Sequence, residues 1–243
     1  TVLLAVLASF CLVSVAWAHL PADFTYFAVQ LPDTYLPILD GDVSEWDIIP
    51  DAYVVPTEEY YEQLAGLGKG GAGVDLADLA IRSVCGWNDS TNRLYFMGEV
   101  FDDIHQTDRA DPQCNWTDDC WEIMIDANHS GGRHAWFADL TEEENKRLNG
   151  AEGTQCIVAE PPVQDVDFTT GNASTWTSEP GDYYDIGWDF TGDEFGESTY
   201  YYELFIYPFD DLNWEGPDVS KHHDLTEGEI VGIGWAFADF DEL

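Results

Sequence analysis

"CNWTDDCWEIMID", residues 114–126, holds the alternation that decides the fold. From Cys120 onward, large apolar residues stand at Trp121, Ile123 and Ile125, with Glu122, Met124 and Asp126 between them and at the end. Period two is the mark of a strand with one buried face. Trp121, Ile123 and Ile125 are therefore expected in a core, and Glu122 on the opposite face. Trp116 lies outside this pattern, in a polar lead-in between Cys114 and Cys120. An indole that the strand does not need for packing, close to a carboxylate on the open face, suits a pyranose. The C–H face of the sugar packs on the indole, and the carboxylate accepts hydrogen bonds from hydroxyls.

Similar segments flank this one. "LAIRSVCGW" (79–87) and "RLYFMGEVFD" (93–102) read as strands joined by the turn-rich "NDST". "TQCIVAE" (154–160), "YYDIGWDF" (183–190), "STYYYELFIYP" (198–208) and "EIVGIGWAFADF" (229–240) continue the series, with shorter strands at "AYVVP" (52–56) and "HAWFADL" (134–140). "PILDGDVSEWD" (37–47) reads as a short strand entering an Asp-Gly turn. Helix signals are sparse. Thr57 is placed to cap a short helix running to Leu67, and Thr141 to Glu144 form a capping box for a helix over 141–149. The Pro/Gly/Ser/Thr-rich stretch 161–182 reads as loop. Many short strands with incidental helix predict an all-β fold, a two-sheet antiparallel β-sandwich of jelly-roll or immunoglobulin-like kind with short inserted helices.

The apolar, uncharged residues 1–18 end in Ala16-Trp17-Ala18 and read as a secretory signal peptide, so the protein is expected outside the cytoplasm, extracellular or periplasmic. No membrane insertion is expected once it is removed. Residues 19–36 read as an extended leader, and 37–243 as the domain. The 8 Lys+Arg against 48 Asp+Glu give a formal charge of −40. That excludes nucleic acid as a partner, because such affinity comes from basic residues on phosphates, and it disfavours anionic membrane surfaces.

The acids cluster at Asp40 and Asp42, Asp102 and Asp103, and Asp239 and Asp241, which makes Ca²⁺ the expected structural cofactor. Beyond the signal region remain Cys85, Cys114, Cys120 and Cys156, with three connectivities open to two disulfides. Cys114–Cys120 with Cys85–Cys156 is the preferred pairing, because the short loop would stiffen the segment bearing Trp116. Asn88, Asn115, Asn128 and Asn172 stand in glycosylation sequons. No hydrolase or metalloprotease motif occurs, and the nearest approach to catalysis is the carboxylate pair Asp119 and Glu122. His105 with Met97 or Met124 is the set that would ligate a haem.

In order and spacing, "PILDGDVSEWD", "NRLYFMGEVFDD", "NWTDDCWEIMID", "YYELFIYP" and "IGWAFADFDEL" resemble the carbohydrate-binding modules of family 9 and their wider, DOMON-related fold. The likeness spans about residues 37–243. It implies a two-sheet sandwich, structural calcium ions, and a slot in which two tryptophans clamp a terminal sugar. Trp116 matches the first clamp tryptophan and Glu122 the strand glutamate that bonds hydroxyls, with Asp119 at the acidic position between them. Arg133 is the basic residue nearest the position that binding members carry on the next strand. The second clamp tryptophan falls beyond Leu243, and residues 56–78 are an insertion. The function so implied is non-catalytic binding of a polysaccharide or oligosaccharide. A haem-binding electron-transfer domain of the same fold, or a calcium-stabilised structural or adhesive domain, are the alternatives.

Overall fold

The computed structural model describes residues 25–62, 68–69, 75–107, 119–131, 138–151, 155–160, 165–169, 175–177, 180–193 and 195–240. In chain order its strands are β1 (Val29–Gln30), β2 (Val54–Pro56), β3 (Tyr61–Glu62), β4 (Gly68–Lys69), β5 (Leu79–Asn88), β6 (Arg93–Asp102), β7 (Cys120–Asp126), β8 (Gln155–Glu160), β9 (Asp165–Thr169), β10 (Tyr184–Gly192), β11 (Ser198–Ile206), β12 (Phe209–Asp211), β13 (Lys221–His222) and β14 (Gly232–Ala238). A single α-helix among the described residues, α1, spans Glu142–Ala151.

Two sheets form the sandwich. The larger runs β1-β5-β6-β11-β10 with β2 also on β5, and the smaller runs β14-β7-β8-β9. Every pairing is antiparallel except β1 on β5, which is parallel. Between the sheets, Ile81, Phe96, Val100, Tyr200, Tyr202 and Leu204 of the larger meet Trp121, Ile123 and Ile125 of β7. Trp121 is fully buried and stacks on Phe237 at 5.5 Å between ring centroids. The alternation read from β7 thus holds at every position.

The larger sheet has a second core on its other face. Val84, Tyr95, Met97 and Phe205 are covered there by Leu31, Val43, Trp46 and Ile49. Burial on both faces explains why "RLYFMGEVFD" is a nearly unbroken apolar run rather than an alternating one. It also corrects the expectation of a leader over residues 19–36. Leu31 is 3% exposed and its backbone N–H donates to the Trp87 carbonyl at 2.7 Å, so the chain from Val29 onward belongs to the domain. Asn88, one of the sequon asparagines, is buried and donates to the Leu31 carbonyl, which closes it to a glycan in the folded protein.

A buried carboxylate pins this cover. Glu203 of β11 accepts from Trp46 Nε1 at 2.8 Å and from the Gly41 and Asp40 amides at 2.9 and 3.2 Å. Gly41 has φ +84°, and a Cβ there would collide with the Asp189 backbone, so the Asp-Gly turn requires glycine. The opening motif is therefore a fastener for the sheet.

Two local expectations fail for identifiable reasons. The helix over 57–67 is one 3₁₀ turn, Thr57–Glu59, followed by β3. The Thr57 hydroxyl, which would have capped it, instead accepts from the Ile81 amide at 2.6 Å and locks this segment to β5. Residues 161–182 contain β9, whose alternating "DVDFT" pairs with β8. The capping box does form: the Glu144 amide donates to the Thr141 hydroxyl and the Thr141 amide to the Glu144 carboxylate, at the start of α1.

Candidate functional site

The outer face of the smaller sheet is set by β7 and its neighbours. Residues paired directly across an antiparallel ladder share a face. Glu122 is flanked by Ala236 of β14 and position 158 of β8, and Met124 by Gly234 and position 156. Gly234 and Ala236 are exposed. Small residues on the edge strand leave room for a ligand beside the Glu122 carboxylate. Glu122 is half-buried and makes no hydrogen bond or ion pair with any described residue, and burial raises its pKa above the usual carboxylate value. A partly desolvated acceptor with no partner among the described residues is a group prepared for an external donor. Trp116, six residues before Glu122 in the chain, lies outside the described residues, as do Arg133, Cys114 and Asp241.

Asp119 does not join Glu122 on this face, contrary to the expectation that it bonds sugar hydroxyls. It is 1% exposed, and its two oxygens accept from the backbone amides of Gln106 and Phe240, the latter at 2.6 Å. Burial is the main cause of its raised pKa. With both oxygens so engaged, Asp119 and Glu122 are not a carboxylate pair open to a glycosidic bond.

Asp119 faces His105 and Asp102 instead. His105 Nδ1 lies 3.5 Å from Asp102 Oδ2 and 3.5 Å from Asp119 Oδ2, and all three side chains are buried. Among the described residues this is the one group of three or more metal-ligand-type side chains whose ligand atoms all lie within 4.8 Å of one another. Of the acids expected to hold metal, Asp102 alone belongs to it. Asp40 and Asp42 cap their own turn, accepting from the Asp42 and Ser44 amides. Asp103 and Asp239 are described residues outside the group. Neither methionine supports a haem pair with His105: Met97 is sealed in the second core, and Met124 lies on the outer face of the smaller sheet.

The preferred disulfide Cys85–Cys156 is not formed. Cys85 is a free thiol buried between the sheets, its pKa pushed up to about 12 by burial. Cys120 packs with Met124 and Ala238.

An open polar cleft of about 470 Å³ on the larger sheet is lined by Asp42, Asp47, Arg82, Glu99, Asp189 and Tyr201 among others. Arg82 already bridges Asp47 and Glu99 there, each at 3.1 Å. Sequence reading missed two positions, Gly234 and Ala236, and it placed His105 in a haem set with Met97 or Met124 rather than beside Asp102 and Asp119. A buried histidine has no local signature. The alternation of small residues in "GIGWAFA" was legible in principle.

No family model matches the chain, and no curated protein does. Among solved structures, it is similar to a carbohydrate-binding module of family 9 from Caldicellulosiruptor kristjanssonii in complex with cellotriose, with TM-score 0.51 and 13% identity over 89% of this chain and 78% of that one. A structure of a family 9 module from the same organism in complex with glucose gives TM-score 0.51 and 14% identity, covering 89% and 80%. At such identity the likeness is one of architecture. The fold of this chain is that of the family 9 carbohydrate-binding modules.

Proposed function

We propose that the chain is a non-catalytic carbohydrate-binding module of an exported protein, which seats a terminal sugar on the outer face of the smaller sheet. The half-buried carboxylate of Glu122, without a partner among the described residues and beside Gly234 and Ala236, carries this reading. The solved modules of the same fold in complex with cellotriose and glucose support it. In this proposal the indole of Trp116 stacks on the pyranose, Glu122 accepts from its hydroxyls, and Arg133 adds a donor.

Titration of intrinsic tryptophan fluorescence and calorimetry with cello-, xylo- and manno-oligosaccharides test it. Trp116→Ala is expected to cost about 1–3 kcal/mol, the range for loss of an aromatic stacking partner, or roughly five- to 150-fold in Kd. Glu122→Gln, which keeps shape and one acceptor, is expected to cost about 1 kcal/mol. Unchanged affinity in Trp116→Ala, or no response to any of the sugars, would reject the proposal.

A further inference from the structure

The end of β6 and the start of β7 belong to different sheets, and the chain brings three buried ligand-type side chains together where it crosses between them. Asp102 closes β6, His105 follows it, and Asp119 precedes β7. Their relative exposures are 3%, 3% and 1%. Among the described residues, His105 is the only cationic partner of either carboxylate.

Two observations are at odds with a plain ion triad. The first is distance. A charge-assisted N–H···O contact closes to about 2.7–2.9 Å, yet His105 Nδ1 stands 3.5 Å from both oxygens. Ligands at about 2.0–2.1 Å from a tetrahedral ion are separated from one another by about 3.3–3.5 Å. The two His–Asp separations are those of atoms around a common centre, and all three ligand atoms lie within 4.8 Å of one another. The second is charge. Two ionised carboxylates facing one imidazole leave an uncompensated negative charge even when the imidazole is protonated, a cost in a desolvated site that only a further proton or a cation relieves. A divalent cation balances both and leaves the imidazole neutral, as a ligand must be.

The supporting shell is in place. Asp102 Oδ1 accepts from the Ile104 amide at 2.9 Å, and the Asp119 oxygens accept from the Gln106 and Phe240 amides. Asp102 is thus held with Oδ2 turned to the centre, and Asp119 with the Oδ2 that also takes the Gln106 amide. The His105 ring lies against Tyr200, 3.8 Å between centroids, which fixes its plane. In the same loop Thr107 carries a buried hydroxyl with no hydrogen-bond partner. The donor set disagrees with calcium, which takes six to eight oxygens, and fits an ion that accepts imidazole nitrogen with carboxylate oxygen.

We propose that Asp102, His105 and Asp119 form a buried site for a divalent transition-metal ion of the zinc type, which ties the larger sheet to the smaller at this end of the sandwich. The proposal is independent of sugar binding.

Calorimetric titration of chelator-treated protein with ZnCl₂, and separately with CaCl₂, tests it. One zinc equivalent is expected to bind at least fiftyfold more tightly than calcium and to raise Tm. His105→Gln should lose that tight equivalent. His223→Ala, in the partly exposed cluster with Asp210 and Glu229, should keep it. Zinc binding no tighter than calcium, or unchanged in His105→Gln, overturns the site. Should His105→Gln fail to fold, zinc K-edge absorption of wild-type protein loaded with one equivalent decides: one imidazole among oxygen ligands supports the site, none or two overturns it.

Discussion

Two glutamates illustrate how far position alone separates chemically identical residues. Glu122 stands half-open without a partner among the described residues, while Glu203 is fully buried and takes three donors. Burial outweighs those donors and pushes Glu203 up to about 7 from 4.5. Because the folded protein holds this proton more tightly than the unfolded chain, the unfolded state is favoured as pH rises between these two values, and the effect is constant above them. Glu203→Gln should therefore lose stability more slowly than wild type over that pH interval, a difference visible in urea midpoints. At neutral pH it should still be weaker by about 1–3 kcal/mol, because an amide nitrogen would face backbone donors. Trp46→Ala both opens a cavity at a 2% exposed site and strips Glu203 of a donor, so a loss of about 3–5 kcal/mol is expected.

At the scale of elements, β7 and β14 make the face on which the functional reading depends. Ala236 lies directly across from Glu122. Ala236→Phe should fill the space beside Glu122 and block oligosaccharide binding, while Tm changes little because this face lies away from the core. Binding that survives Ala236→Phe would place the sugar elsewhere. The helix α1 offers an independent check of local reading. Thr141→Ala removes a reciprocal cap and should cost about 1 kcal/mol, measured by denaturant midpoint or by faster amide exchange in α1. The hairpin β5–β6, the strand β7 and this capping box were all legible, because each is signalled within a few residues. The helix expected after Thr57 failed because its cap was recruited by Ile81, 24 residues away.

The whole molecule carries −40 formal charges. Self-repulsion of that size is screened by salt, so Tm should climb by several degrees between 10 mM and 1 M NaCl, and flat behaviour would show that self-repulsion does not limit stability. The same scale explains why the second core was invisible. Leu31, Val43, Trp46 and Ile49 cover the larger sheet from an irregular segment with no period to read. Removing the residues up to Ile49 is expected to expose Tyr95, Met97 and Phe205 and to cause aggregation, checked by light scattering.

The sequence by itself determined the class and the polarity of the key strand, because a period of two forces Trp121, Ile123 and Ile125 to one side and Glu122 to the other. Only the tertiary structure decided that Asp119 turns inward beside Asp102 and His105, that Cys85 stays unbridged, and that the N-terminal segment seals a sheet. Those outcomes depend on which strand ends meet across the sandwich, and residues far apart in the chain leave no local trace of their meeting.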